Sequence, residues 1–152
     1  MTVTSDDKVL SRDFDISVNT GTEESPTWTP ILGLDEDGIT WAESGREVDF
    51  MDADDGGFAK PLPFGRGYTV TLKGARIEDA DTGERDPGQA AVEAVMDAMG
   101  PEALLEYKIE SPAASGAEAI TFQASATVTP FGGSDKATWG AELKVYGQPT
   151  RA

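Results

Sequence analysis

The sequence predicts a mainly β protein: an antiparallel sandwich or barrel carrying one packed α-helix, over about residues 87–99. Three observations support this. Short segments in which apolar and polar residues alternate recur along the chain, around residues 14–18, 68–72, 120–128 and 139–145. Clusters of Gly, Pro, Asn and Asp separate them, as turns require. A single stretch, residues 86–101, has a helical period.

At the N-terminus, residues 1–12 mix Thr, Ser, Asp and Lys without pattern and read as a flexible arm. Phe14, Ile16 and Val18 alternate with Asp13, Asp15 and Ser17, a half-buried strand. A polar turn over residues 19–26 leads to a short strand over 27–32. Pro30 marks that strand as an edge or a bulge, because proline cannot donate to a ladder. Residues 35–38, Asp-Glu-Asp-Gly, read as a turn. Two further strands follow, 39–43 and 46–50, with Ser44-Gly45 as a hairpin tip. Val48 and Phe50 share one face of the second, and Glu47 and Asp49 share the other.

Residues 52–66 read as a long loop. Phe58, Leu62 and Phe64 give it more apolar bulk than a disordered tether carries, so a docking role is expected. Tyr68, Val70 and Leu72 define the next strand. In the helical stretch Asp86 can cap the first free N–H groups, and Pro87 suits the first helical position. Gly100 can close the helix in a left-handed conformation, and Pro101 cannot continue it. Val92, Val95, Met96 and Met99 fall on one face, so the helix is expected to lie against the outside of the sheet. Leu105, Tyr107 and Ile109 mark another strand. Ile120, Phe122, Ala124, Ala126 and Val128 face inward on the longest, and Trp139, Ala141, Leu143 and Val145 on the last. The whole reads as a single domain over 13–147, with 148–152 as a short tail.

Bulk composition narrows the function. At 152 residues one domain can bury a real core. The chain has no Cys and no His, which excludes disulfides and removes the commonest general base and zinc ligand. No apolar run of about 18 residues is present, and the first residues do not form a signal peptide. A soluble protein made in a cytoplasm is expected. The net charge is −16, with 15 acidic and 4 basic residues in 1–60 against 13 and 8 in 61–152. So acidic a surface repels nucleic acid, which argues against sequence-specific DNA binding.

The specific site motifs that the sequence suggests mostly fail. A helix-flanked calcium loop needs acids at its first, third and fifth positions, and Glu at the twelfth. Counted from Asp52, Asp35 and Asp79, the fifth position is Gly56, Ile39 and Gly83, and the twelfth is Pro63, Arg46 and Ala90. Gly65-Arg66-Gly67 starts a dinucleotide-type glycine pattern. Val70 stands where the third glycine belongs, and a strand follows rather than a helix. Carboxylate pairs suited to glycosidase chemistry arise by chance among 28 acidic residues. No catalytic residue, metal ligand or cofactor is therefore assigned, and the chain is expected not to be an enzyme. Trp28, Trp41 and Trp139, at strand spacing, read as core rather than as a carbohydrate platform.

Several segments, in order, resemble tail tube (major tail) proteins of long-tailed bacteriophages, especially those of actinobacterial hosts. They are Trp28-Thr29-Pro30-Ile31-Leu32-Gly33-Leu34, the acidic run into Gly56-Gly57, Gly67-Tyr68-Thr69-Val70-Thr71-Leu72-Lys73-Gly74, Asp86-Pro87-Gly88-Gln89, and the run from Trp139 to Gly147. The resemblance implies a tail-tube fold and a structural virion protein without catalytic residues. It implies hexameric rings that stack into a tube, the conduit for double-stranded DNA during ejection. Implied partners are other copies of the chain, the tape-measure protein, and tail terminator and baseplate proteins. The subunit would be assembled in the host cytoplasm and reside in the virion, without binding membrane.

On this reading Phe58, Leu62, Phe64 and Arg66 make contacts between subunits or rings. Glu43, Glu47 and Asp49 are expected to face the lumen, where acids let DNA slide without sticking. The rival expectation is an acidic β-sandwich that binds carbohydrate or protein, with or without calcium. It predicts a monomer at every concentration and a melting temperature raised by its ligand.

Overall fold

The computed structural model describes residues 14–49, 61–111, 118–133 and 136–151, with the backbone alone described at 46–49 and 61–64. The strands are β1 (Asp15–Asn19), β2 (Trp28–Pro30), β3 (Leu34–Glu43), β4 (Arg46–Asp49), β5 (Pro61–Gly65) and β6 (Tyr68–Ala75). Helix α1 (Pro87–Glu93) follows, then β7 (Leu104–Glu110), β8 (Ala119–Thr129) and β9 (Thr138–Arg151). Seven strands form one antiparallel sheet in the order β2-β1-β7-β8-β9-β6-β3, curled into a half-barrel; β4 and β5 pair separately as a two-stranded ribbon. The mainly β, antiparallel class is the one expected. Its form is a single curled sheet rather than two stacked ones.

Register carries the inward alternation across the sheet. Trp41 lies opposite Val70, Val70 opposite Leu143, and Leu143 opposite Ala126. In a second row Val18 lies opposite Tyr107, and Tyr107 opposite Phe122. The buried core is built from this face: Ile16, Val18, Val70, Leu72, Tyr107, Phe122, Trp139 and Leu143 are all nearly or fully buried. Tyr107 stacks on Phe122, and Trp41 meets Phe122 edge-on at 5.7 Å between ring centres, across the curl. The opposite face carries Thr40, Thr69, Thr71, Ser125 and Thr127 with scattered charges. This is the polar side that the alternation predicts.

Helix α1 starts where expected. Asp86 is the N-cap, its carboxylate accepts from Gln89 N (3.0 Å), and Pro87 occupies the first turn. It then departs from expectation twice. It ends at Glu93 instead of near 99, and the chain tightens through Met96 N to Glu93 O and Ala98 N to Val95 O before a 3-10 turn over Gly100–Ala103. Gly100 does take a positive φ, of 65°. The second departure is position. The helix lies on the core face of the sheet, with Gly88, Gln89 and Val92 as its buried residues. The helix ends at Glu93, and past it Met96 is 43% and Met99 87% exposed. Of the predicted stripe only Val92 belongs to the helix and to the core; Val95, Met96 and Met99 follow the helix's end and lie outside the core.

Buried polar groups tie this helix to the strand ends. The Gln89 side chain donates to Leu32 O (2.9 Å) and Ala75 O (2.8 Å) and accepts from Ile77 N (3.1 Å). Asp86 also accepts from Leu32 N. Glu93 accepts two bonds from the Arg85 guanidinium (2.8 Å each) and one from the Trp139 indole (3.0 Å). The helix thereby fixes the β2–β3 connection and the end of β6 in place.

Four further expectations are corrected. Residues 35–38 are not a turn. They lie inside β3 as a bulge between Leu34 and Ile39, where Gly38 comes so near β6 that an added Cβ would sit 2.5 Å from Lys73 O. Ser44-Gly45 is not a hairpin tip: β3 pairs with β6, and the chain crosses there into the ribbon. Part of the loop 52–66 is strand, since 61–65 form β5 against β4. The tail 148–152 is strand as far as Arg151, held by Thr150 opposite Thr121 and Arg151 opposite Ile120. The arm 1–12 lies outside the described residues.

Candidate assembly surface

The candidate surface is the sheet's own perimeter, and hydrogen-bond phase shows what it offers. Ser44 N donates to Gly67 O (2.8 Å), so that pair is a bonded one. Bonded and non-bonded pairs alternate in an antiparallel ladder. Thr40 and Ala42 therefore bond β6, and Ile39, Trp41 and Glu43 turn their backbone groups to the open side of β3. At the other end Thr20 N donates to Thr27 O and Ile31 N to Ile16 O. Thr27, Thr29 and Ile31 thus bond β1, while Trp28 and Pro30 face the open side of β2. Pro30 stands where its missing N–H would have had no partner among the described residues, the edge role its sequence suggests.

A third edge was not foreseen. β6 starts at Tyr68, with Thr69 opposite Lys144, whereas β9 runs on to Arg151. From Tyr146 onward β9 has β8 on one side and, among the described residues, no strand on the other. A cleft of about 450 Å³ lies there, lined by Arg66, Tyr68, Gly147, Gln148, Pro149 and Arg151. The Tyr146-to-Thr150 stretch lacks apolar alternation, so only backbone pairing reveals it as strand.

The predicted residues distribute as follows. Arg66 and Glu43 form an exposed ion pair (3.0 Å) at the point where β3 and β6 meet the ribbon. Glu47 lies opposite Pro63 and Asp49 opposite Pro61 in the ribbon, so Leu62 and Phe64 belong to β5. Phe58 lies outside the described residues. Glu43 is thus joined to Arg66, and both are joined through the chain to the ribbon that holds Glu47, Asp49, Leu62 and Phe64.

The three tryptophans do not form one platform. Trp139 is buried core. Trp41 lies half-buried on the core face against Tyr68, and Trp28 lies on the opposite face under Lys108, whose ammonium is 4.8 Å from its ring centre. Trp28 therefore departs from the core expectation. Among the described residues no three acidic side chains converge to hold a metal ion. Asp79 instead accepts Asp81 N and Thr82 N in a local turn, and these bonds hold its carboxyl below the usual range.

No family model matches the chain, and no curated protein sequence matches it. Its fold, however, matches solved structures over nearly its whole length. A chain from the tail of an empty gene transfer agent (GTA) particle, refined with C6 helical symmetry, superposes with a TM-score of 0.68 at 17% identity, covering 94% of this chain and 98% of that one. A chain from the virion of a native GTA particle gives 0.66 at 16% identity, covering 95% and 99%. A chain from the six-fold symmetrised baseplate of the anti-feeding prophage gives 0.62 at 11% identity, covering 100% and 97%. The chain has a phage-tail-type fold. At these identities the likeness is one of fold.

Proposed function

We propose that this chain is a structural subunit of a tail tube, which assembles into hexameric rings that stack around a channel for DNA. The observation that carries this is the full-length match of its fold to chains in tail particles, one of them refined with C6 symmetry. The sheet perimeter supports it. Open edges normally invite aggregation unless blunted, and a ring closes them. Partners of the ring would be the tape-measure protein along the lumen and terminator and baseplate proteins at its ends.

Within this reading the ribbon and its connecting segment reach the neighbouring subunit or ring through Phe58, Leu62, Phe64 and Arg66. Glu43, Glu47 and Asp49 would line the channel with negative charge, which phosphates do not bind. The test is negative-stain microscopy of the concentrated protein. Leu62→Ser with Phe64→Ser should leave a folded monomer, by circular dichroism, that no longer stacks. Normal tubes from that variant would remove the ribbon's assigned role.

A further inference from the structure

The seven-stranded sheet is stepped at both ends. On one side β3 and β6 project beyond β9 at one level, and at the other level the Tyr146-to-Arg151 half of β9 is left open among the described residues. On the other side the steps run the opposite way. β2, β1 and β7 project at the level of that open half, since Pro30, Ser17, Lys108, Thr121 and Thr150 form one row. At the other level β8 runs on to Thr129, past Leu104, the first residue of β7, which lies opposite Ser125. A projection at one end therefore faces a recess at the other.

We propose that the recess beside β9 receives the β2 edge of a second copy, which builds the joint between neighbouring subunits. This rests on the tail-tube reading for the existence of a joint and adds which edges form it. Two features favour this occupant. The first is charge: Arg66 and Arg151, each in an exposed ion pair, with Glu43 and Glu118 respectively, flank the recess in a chain of net charge −16, and the β1–β2 turn carries exposed Glu23 and Glu24. That turn is preorganised, because Asn19 accepts from Gly21 N and Thr27 N and donates to Thr22 O. The second is direction. Seven antiparallel strands leave β2 running the same way as β9, and as β3. Copies related by a rotation therefore meet there in a parallel joint. Pro30 on β2 and Pro149 on β9 remove backbone donors, so shape and charge select the partner over simple strand zipping.

The chain has no cysteine, which makes cross-linking clean. Pro30→Cys and Gln148→Cys, placed together in one chain on the uncovered sheet face, are treated with a short bismaleimide under conditions where the wild type assembles. The joint predicts covalent ladders of copies that vanish when either cysteine is absent. A charge swap tests the same joint without cysteine. Arg66→Glu should raise the concentration needed for assembly by about tenfold or more, and Glu24→Arg added to it should recover most of that loss. Assembly without ladders and without rescue overturns the joint and leaves the tail-tube reading standing. Absence of assembly in the wild type overturns that reading, and the joint with it.

Discussion

The Tyr107 hydroxyl is buried with no hydrogen-bond partner among the described residues, and burial raises its pKa far above that of an ordinary phenol. A buried donor without a partner costs free energy, so removing it should not destabilise the protein. Tyr107→Phe is expected to melt at or above the wild-type temperature. Gln89 is the opposite case. Gln89→Leu strips partners from Ile77 N, Leu32 O and Ala75 O together, and should cost about 3 kcal/mol in urea unfolding. Glu93 ties stability to pH. Burial would raise its pKa, but the Arg85 guanidinium, the Trp139 indole and Arg76 outweigh burial and hold it below the ordinary glutamate value. Its contribution is complete above the unfolded-state pKa and is lost as pH falls through the lowered folded one. Glu93→Gln should therefore lose about 2 kcal/mol at neutral pH, and the gap to wild type should narrow below pH of about 4. None of these three roles was legible in the sequence. Partners such as Gln89 and Leu32 are far apart in the chain, and only the fold brings them together.

Elements were more legible than residues. β1, β6, β7, β8 and the first half of β9 follow from period-two alternation, because each buries one face and exposes the other. The start of α1 follows from Asp86 and Pro87. The misread elements share a cause: no local pattern marks them. The bulge at 35–38 looks like a turn because acids and glycine suit both. The end of β9 and strand β5 are polar or proline-bearing, and backbone pairing is what reveals them as strand. The helix's placement was hidden too, since Gly88 and Gln89 are not apolar yet face the core. Gly88 is there because the helix touches β2: an added Cβ would meet Pro30 O at 2.2 Å and Ile31 Cα at 2.7 Å. Gly88→Ala should push the helix off the sheet and cost about 2 kcal/mol, again read by urea unfolding, while Gly65→Ala, with open space around it, should not.

At the scale of the molecule, a chain of net charge −16 must, on the tail-tube reading, meet copies of itself against repulsion. That repulsion reaches about 30 Å at 0.01 M salt and about 8 Å at 0.15 M. Assembly should therefore begin at lower protein concentration as salt rises across that range, measured by sedimentation velocity. The sequence showed the charge and the family resemblance but not the stepped perimeter. Strand order and register are properties of pairing between distant segments. The most direct test of the central claim is an electron micrograph of the purified protein, concentrated at physiological salt. Rings of uniform diameter, or stacks of them, are the predicted result. A field of single compact particles at every concentration, matched by one monomeric species in sedimentation, would contradict it.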